Sequence, residues 1–520
     1  MLRNRTTRLL GLGVLLVVLT GGVLSGPLRG PDPRYHDYNE ILALFDTWAA
    51  QYPDIFHREI IGYTGVENDP IWAAKISDNV HVSEPEARVM IDAAIHANEA
   101  NGPNAILYMM EHLLEGYGQN PYYTEMVDNL EMWFVPVINL DGYWMVFNSV
   151  PNWDWWRKSK RDNNGDHQYT FPIDGVDCNR NWDFKWAQYD STAWESSRYK
   201  GPYPFSESCV VAMRDLILRE MPVFLMDMHS PDVPSIGNKI WWPWYDPTTF
   251  QYGPDDDIYQ PICEALGHRC ETENTGVYVN GHNPAYNRIP KEQCWVYANT
   301  GICAFLMEIS LQFWWTGAMV DTIAARTGRG NFYLMERALS GPGLTGCVTN
   351  VVTSLPVEAE VKVHQIHAPD IGPRMTEQSH GKYWRLLLPG SYTITASAEG
   401  YDSQTQYGIY VSASGWTELN FQLNPDPASL DDSKMITART LWTDTPLRSG
   451  SMVHFRLEDE AYVSLDLLDA SGRQVMNVVR GRMAPGQRSV ALRRSTPSGT
   501  YFLRLRADDR QVANKIVVVN

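Results

Sequence analysis

The sequence predicts an α/β domain, a mixed sheet with helices on both faces, followed by two all-β sandwiches. Three observations carry this expectation. Between residues 34 and 339, helical periods alternate with apolar, β-branched runs, the pattern of strands covered by helices. Past Ser340-Gly341-Pro342-Gly343, read as a linker, helical periodicity stops. Residues 344–424 alternate with period two instead, as in Val361-Lys362-Val363 and Tyr392-Thr393-Ile394-Thr395, with turns at Pro389-Gly390 and Glu399-Gly400. A second linker, Asn424-Pro425-Asp426-Pro427 and the acidic stretch after it, leads to 435–520, which alternates again (Val463 to Leu467, Tyr501 to Leu505).

The chain opens on a secretory-type segment, residues 1–25. Arg3, Arg5 and Arg8 precede an apolar run from Leu9 to Leu24, with small residues suited to cleavage after Ser25. The run is short and Gly-containing, which argues against a membrane span. Residues 34–52 show a helical period (Ile41, Leu42, Leu44, Phe45, Trp48) that stops before Pro53. FHREIIGY and PIWAAKIS, separated by Gly65 and Asn68-Asp69-Pro70, read as a strand pair. The run from Val89 to Ile95 reads as a buried strand that ends in His96, Glu99 and a turn at Asn101-Gly102-Pro103. A helix from about 104 to 117 and a strand from Met132 to Ile138 follow. A loop-rich stretch then leads to a helix over 207–220, a strand from Val223 ending at His229, a strand from Ile302 to Ile309 and a helix from Val320 to Leu339.

Composition narrows the function. The 520 residues contain 20% charged and 44% hydrophobic side chains, a globular balance. The net charge of −18 argues against a nucleic-acid partner, which needs a basic footprint. Seven cysteines (Cys178, Cys209, Cys263, Cys270, Cys294, Cys303, Cys347) form no Cys-x-x-Cys, so they suggest no zinc site, and their connectivity stays open. Neither Gly-x-Ser-x-Gly nor His-Glu-x-x-His occurs.

His-x-x-Glu occurs four times, at His81, His96, His112 and His268, and the spacing alone most often marks a solvated surface pair. Only His96/Glu99 follows an apolar strand, Val89-Met90-Ile91 then Ala93-Ala94-Ile95, and ligand sites in open α/β sheets lie beyond the carboxyl ends of strands. His229 and Glu308 also close apolar strands. Two histidines and a carboxylate with a fourth position open form a catalytic zinc set. Glu308, in the otherwise apolar run Cys303 to Met307, calls for a functional explanation, because an unpaired buried carboxylate is costly.

These residues, together with Pro136-Val-Ile-Asn139-Leu-Asp141-Gly142, Trp156-Arg157-Lys158, Gly175-Val-Asp177-Cys-Asn179-Arg180-Asn181-Trp182, Ser206-Glu207, His229-Ser230 and the segment from Tyr286 through Trp295-Val-Tyr297 to Glu308, give residues 34–339 a resemblance to the zinc metallocarboxypeptidases. The resemblance implies one zinc per chain on His96, Glu99 and His229. It implies Glu308 as the base that activates a zinc-bound water, and Arg157 as the cation facing the developing oxyanion. Asn179, Arg180 and Tyr286 would hold the free C-terminal carboxylate of a peptide, and Asp177 would back His96. An Arg fork matches a carboxylate bidentately, as an exopeptidase requires.

Departures from the digestive enzymes point to the regulatory branch, similar to carboxypeptidases N and E. Asn98 and Asp154 stand where digestive members have Arg, Gln293 sits at the pocket base, and few residues separate the leader from the domain. Cys294 replaces an acidic residue. Trp242-Pro243-Trp244-Tyr245-Asp246 resembles the segment that brings an Asp into the pocket, with one residue extra. An inward Asp246 implies preference for Lys or Arg; otherwise the pocket is broad or aromatic-lined. Residues 344–424, with Lys382 to Gly390 and Ala398 to Tyr401, resemble the transthyretin-like domain of that branch. Residues 435–520, with Val463 to Arg473, Ser498-Gly-Thr-Tyr501 and Lys515-Ile-Val-Val-Val, resemble C-terminal sorting domains of type IX secretion.

The implied function is a secreted or cell-surface bacterial carboxypeptidase acting on peptide or protein C-termini, with the export machinery as a partner of its tail. The alternatives are a cell-wall peptide peptidase on the same fold and a catalytically inactive peptide-binding protein.

Overall fold

The computed structural model describes residues 32–148, 155–188, 191–230, 238–243, 245–246, 251–270, 279–282, 290–368, 371–426, 441–443, 452–457, 461–469, 474–483, 486–491, 499–507 and 510–518. The expected leader lies outside them. No described helix is long and apolar enough to cross a membrane.

Helix α1 (Tyr38–Gln51) begins at a capping box. Asp37 accepts from the Glu40 amide at 2.9 Å and Glu40 accepts from the Asp37 amide at 3.0 Å. Its buried face carries Tyr38, Ile41, Phe45 and Trp48. Strands β1 (Phe56–Tyr63) and β2 (Pro70–Ile76) form the expected antiparallel pair. β3 (Ala87–Ala93) is buried along its whole length because parallel strands flank it on both sides.

The turn expected at Asn101-Gly102-Pro103 is instead the first turn of α2 (Asn101–Gly116). Proline is tolerated there because first-turn amides have no acceptor within the helix. Gly102 allows the helix to approach β3: a Cβ at this position would lie 2.7 Å from Ala93 Cβ. Helices α3 (Pro121–Asn129) and α4 (Leu140–Asn148) flank β4 (Leu130–Val135). Both are too short to show a clear period.

The second half runs α5 (Ser208–Glu220), β5 (Phe224–His229), β6 (Lys239–Trp242), the short pair β7 (Tyr245–Asp246) and β8 (Gln251–Tyr252), α6 (Asp256–Arg269), β9 (Val279–His282), α7 (Glu292–Thr300), β10 (Cys303–Glu308) and α8 (Ala318–Ser340). The sheet order is β1-β2-β4-β3-β5-β10-β6-β9. β4, β3, β5 and β10 are parallel at its centre. Their carboxyl ends therefore lie side by side, and the mixed α/β sheet matches the expected class.

No free linker follows. α8 ends at Ser340 and the next strand, β11 (Gly343–Asn350), begins three residues later. β11 belongs to one sheet with β13 (Lys382–Leu386), β16 (Trp416–Glu418) and β17 (Phe421–Leu423), and β12 (Glu360–Val363), β14 (Gly390–Ser397) and β15 (Gln404–Val411) form another. Between them lies a core that includes Leu344, Val361, Ile394 and Phe421. Leu386 points the other way and joins the core of the α/β domain. The C-terminal region forms β18 (Leu441–Thr443), β19 (Met452–Leu457) and β22 (Gly486–Ala491) in one sheet, and β20 (Ala461–Leu468), β21 (Gln474–Met483), β23 (Gly499–Ala507) and β24 (Arg510–Val518) in a second.

Candidate metal centre

Three parallel strands deliver the site. His96 lies three residues beyond β3, and Glu99 precedes α2. His229 ends β5, and Glu308 ends β10 directly opposite it in register.

His96, Glu99 and His229 are buried and converge on one point. Glu99 Oε1 lies 2.9 Å from His96 Nδ1 and Glu99 Oε2 lies 2.8 Å from His229 Nδ1. The two Nδ1 atoms are 2.9 Å apart. A tetrahedral zinc with Zn–N bonds near 2.0–2.1 Å would separate two ligating nitrogens by roughly 3.3 Å, so the spacing is close to that of a shared ion.

The far side of each ring shows the same preparation. His96 Nε2 lies 3.1 Å from Asp177 Oδ1, and His229 Nε2 lies 2.7 Å from Asp227 Oδ2. A carboxylate behind each ring accepts a hydrogen bond from Nε2–H, which turns Nδ1 towards the convergence point. Two imidazole nitrogens and a carboxylate are a zinc donor set, and these residues fit that ion.

Arg157 stands at the rim, with its side chain 24% exposed. Its Nε and Nη2 donate to Asp177 Oδ2 at 3.1 and 2.9 Å, and its Nη1 lies 3.5 Å from Glu99 Oε1. Asn179 and Arg180 sit in a buried 3₁₀ turn whose start is capped by Asp177. Arg180 Nη1 donates to the Asn179 carbonyl at 2.6 Å. The Asn179 carboxamide is turned inward: its oxygen accepts from the Glu292 amide at 2.9 Å, and its nitrogen lies 3.0 Å from His229 Nε2. Gln293 is wholly buried on α7, and neither polar atom of its side chain has a partner among the described residues. The Asp246 backbone lies in β7, and Tyr286 falls outside the described residues.

Burial opposes the charge of Glu99, but His96 and His229 overcome it and hold the carboxyl below its usual range. Burial and Arg157 lower His96. Burial also opposes the charged form of His229, but Asp227 and Glu99 raise it to about 10. Burial raises Glu308 to about 7, against the pull of His229. Its Oε2 is shielded and has no hydrogen-bond partner among the described residues.

The sequence reading missed Asp92, Asp227 and Glu292, a second buried group adjoining His229. Asp92 pairs with Asp227 across β3 and β5. A signal was present: both are lone charges inside apolar strands, Val89-Met-Ile-Asp-Ala93 and Phe224-Leu-Met-Asp-Met228. The same reasoning singles out Glu308.

A family profile for zinc carboxypeptidases matches residues 41–321. The chain belongs to the zinc carboxypeptidase family. The family uses zinc, and His96, Glu99 and His229 supply its candidate site here. A second profile, the carboxypeptidase regulatory-like domain, matches residues 343–424. Human carboxypeptidase D is 25% identical over 428 residues, covering 77% of this chain and 28% of its own length. Carboxypeptidase B of Astacus astacus is 30% identical over 185 residues, 35% of this chain and 56% of its own. The chain thus spans little more than a quarter of the carboxypeptidase D relative. Among solved structures, thrombin activatable fibrinolysis inhibitor is 22% identical, with a TM-score of 0.51 over 58% of this chain and 74% of that one. That likeness supports the zinc carboxypeptidase fold of the α/β domain.

Proposed function

We infer that the protein removes the C-terminal residue of peptides by hydrolysis. The observation that carries this reading is the convergence of His96, Glu99 and His229 beside Glu308, in register at the ends of β5 and β10. When bound, zinc supplies a Lewis acid that polarises the scissile carbonyl and lowers the pKa of water at the site.

The residues of the chain do the rest. Glu308, held near neutrality by burial, accepts a proton from the attacking water and can return it to the leaving amine. Arg157 places a fixed positive charge at the rim, where negative charge develops on the carbonyl oxygen. Asp177 holds both Arg157 and His96, so the cation and one ligand are aligned by a single carboxylate. Arg180 is the proposed clamp for the chain-terminal carboxylate, with Tyr286 as its partner. Asn179, whose carboxamide faces inward, shapes the wall beneath it. Gln293 supports a polar pocket for the departing side chain. The leader-like N-terminus supports export from a bacterial cell, and the resemblance of 435–520 to sorting domains supports a type IX route.

A panel of N-blocked dipeptides and their C-terminal amides, with and without a chelator, tests this. Cleavage of free acids only, abolished by the chelator and restored by zinc, is the expected result. Equal cleavage of acids and amides would overturn it.

A further inference from the structure

The environment of His229 differs from that of His96 in a way that decides which of its nitrogens carries the proton. Two groups compete for His229 Nε2. Asp227 Oδ2 lies at 2.7 Å and can only accept; the Asn179 carboxamide nitrogen lies at 3.0 Å and can only donate. The Asn179 orientation is fixed independently, because its oxygen accepts from the Glu292 amide at 2.9 Å. These neighbours favour opposite tautomers. Donation to Asp227 puts the proton on Nε2 and leaves Nδ1 bare towards Glu99 and His96. Donation from Asn179 would put the proton on Nδ1, where a metal must bind.

We propose that Asp227 is a positioning residue for zinc: it outcompetes the Asn179 amide for His229 Nε2 and so selects the tautomer that can ligate. The proposal rests on the assignment of His229 as a ligand. It has a counterpart in Asp177 behind His96, with one difference. Asp177 is shared with Arg157, whereas Asp227 has no Lys or Arg ion-pair partner among the described residues. The carboxylate field of Asp227 therefore acts on His229 without a compensating cation. Asp227 instead shares its buried surroundings with Asp92 and Glu292, neither of which has a Lys or Arg ion-pair partner among the described residues. Three contiguous buried acids are a cost to the fold.

The test uses the full-length protein. Zinc affinity is measured by competition with a chromogenic chelator for wild type, Asp227→Ala, Asp227→Asn and His229→Ala, alongside thermal unfolding of each apoprotein. Asp227→Ala is expected to weaken zinc by about 10- to 100-fold, the range typical of groups behind a metal ligand. The apoprotein should melt no lower than wild type, because one of three crowded acids is gone. Asp227→Asn, which keeps the shape, should weaken zinc in the same direction. Nitrogen-15 spectra of the apoproteins, recorded above the pH of about 10 to which Asp227 and Glu99 raise His229, should show a bare Nδ1 on His229 in wild type and a protonated one in Asp227→Ala. A purely structural role would lower melting temperature and zinc affinity together and leave the tautomer unchanged. Wild-type zinc affinity in both Asp227 variants, with zinc lost in His229→Ala, would overturn the proposal alone. Zinc retained by His229→Ala would overturn the ligand assignment beneath it.

Discussion

Arg385 of the first β-sandwich and Asp255, just before α6, form an ion pair between the two domains, with Arg385 Nη2 at 2.7 and 2.9 Å from the two carboxylate oxygens. Both side chains are largely buried, at 11% and 3% exposed. Asp255 is also held by Tyr297, whose hydroxyl donates to it at 2.8 Å. Trp416 adds a bond from its indole to the Ala338 carbonyl at 2.9 Å. The sandwich is thus part of the body of the α/β domain rather than a tethered module.

Removing one partner of such a pair leaves the other charge buried. Arg385→Ala is expected to destabilise the protein by about 3–5 kcal/mol, as read from denaturant unfolding. Activity at low temperature should persist, since the metal centre lies on other strands. A change below about 1 kcal/mol, the value of an exposed pair, would show that the domains are not locked together.

Glu292 gives a stability prediction with a definite sign. Burial, reinforced by Asp227, raises its carboxyl well above the ordinary value of 4.5. The folded state therefore holds this proton more tightly than the unfolded state, and stability falls as pH rises above that value. Glu292→Gln removes the penalty. The variant apoprotein should melt higher than wild type at pH 8, with the gap closing towards pH 4. A lower melting temperature at pH 8 would contradict this placement of the side chain.

Arg180 is buried against the Asn179 carbonyl, so its charge is preorganised. Arg180→Ala should lower kcat/KM on free-acid peptides by roughly a hundredfold, the value of a charged hydrogen bond of about 1.5–3 kcal/mol. On amidated peptides it should change little. Equal loss on both substrates would assign Arg180 a structural role.

The candidate site is legible because it consists of charges where strand chemistry disfavours them. His96, His229 and Glu308 each end an apolar run, and the parallel register that brings them together follows from the same run lengths. What was not legible depended on tertiary context. Asn101-Gly102-Pro103 has turn composition, yet packing of Gly102 on Ala93 makes it a helix start. The helices Pro121–Asn129 and Leu140–Asn148 are too short for a period to emerge. The apparent linker at 340–343 is spanned by contacts of Trp416 and Leu386 that lie far along the chain. The role of Asp227 is not legible in sequence, because its contact with His229 Nε2 depends on the ring orientation.

Activity should depend on pH through Glu308. Burial places its carboxyl at about 7, and a base works only when ionised. kcat/KM should therefore fall as pH drops, along an acid limb whose midpoint lies at or below about 7, since the charge of bound zinc favours the ionised form. A rate that climbs as pH falls from 7 to 5 would contradict this role.

The most direct measurement is turnover, zinc content and inhibitor binding in Glu308→Gln. The amide keeps the shape of the side chain at the end of β10 but cannot take the proton. kcat should fall by at least about 100- to 10,000-fold, while one zinc per chain and the affinity for a non-hydrolysed substrate analogue stay near wild type. Near-normal kcat in the zinc-loaded variant would contradict the account, because the base would then lie elsewhere.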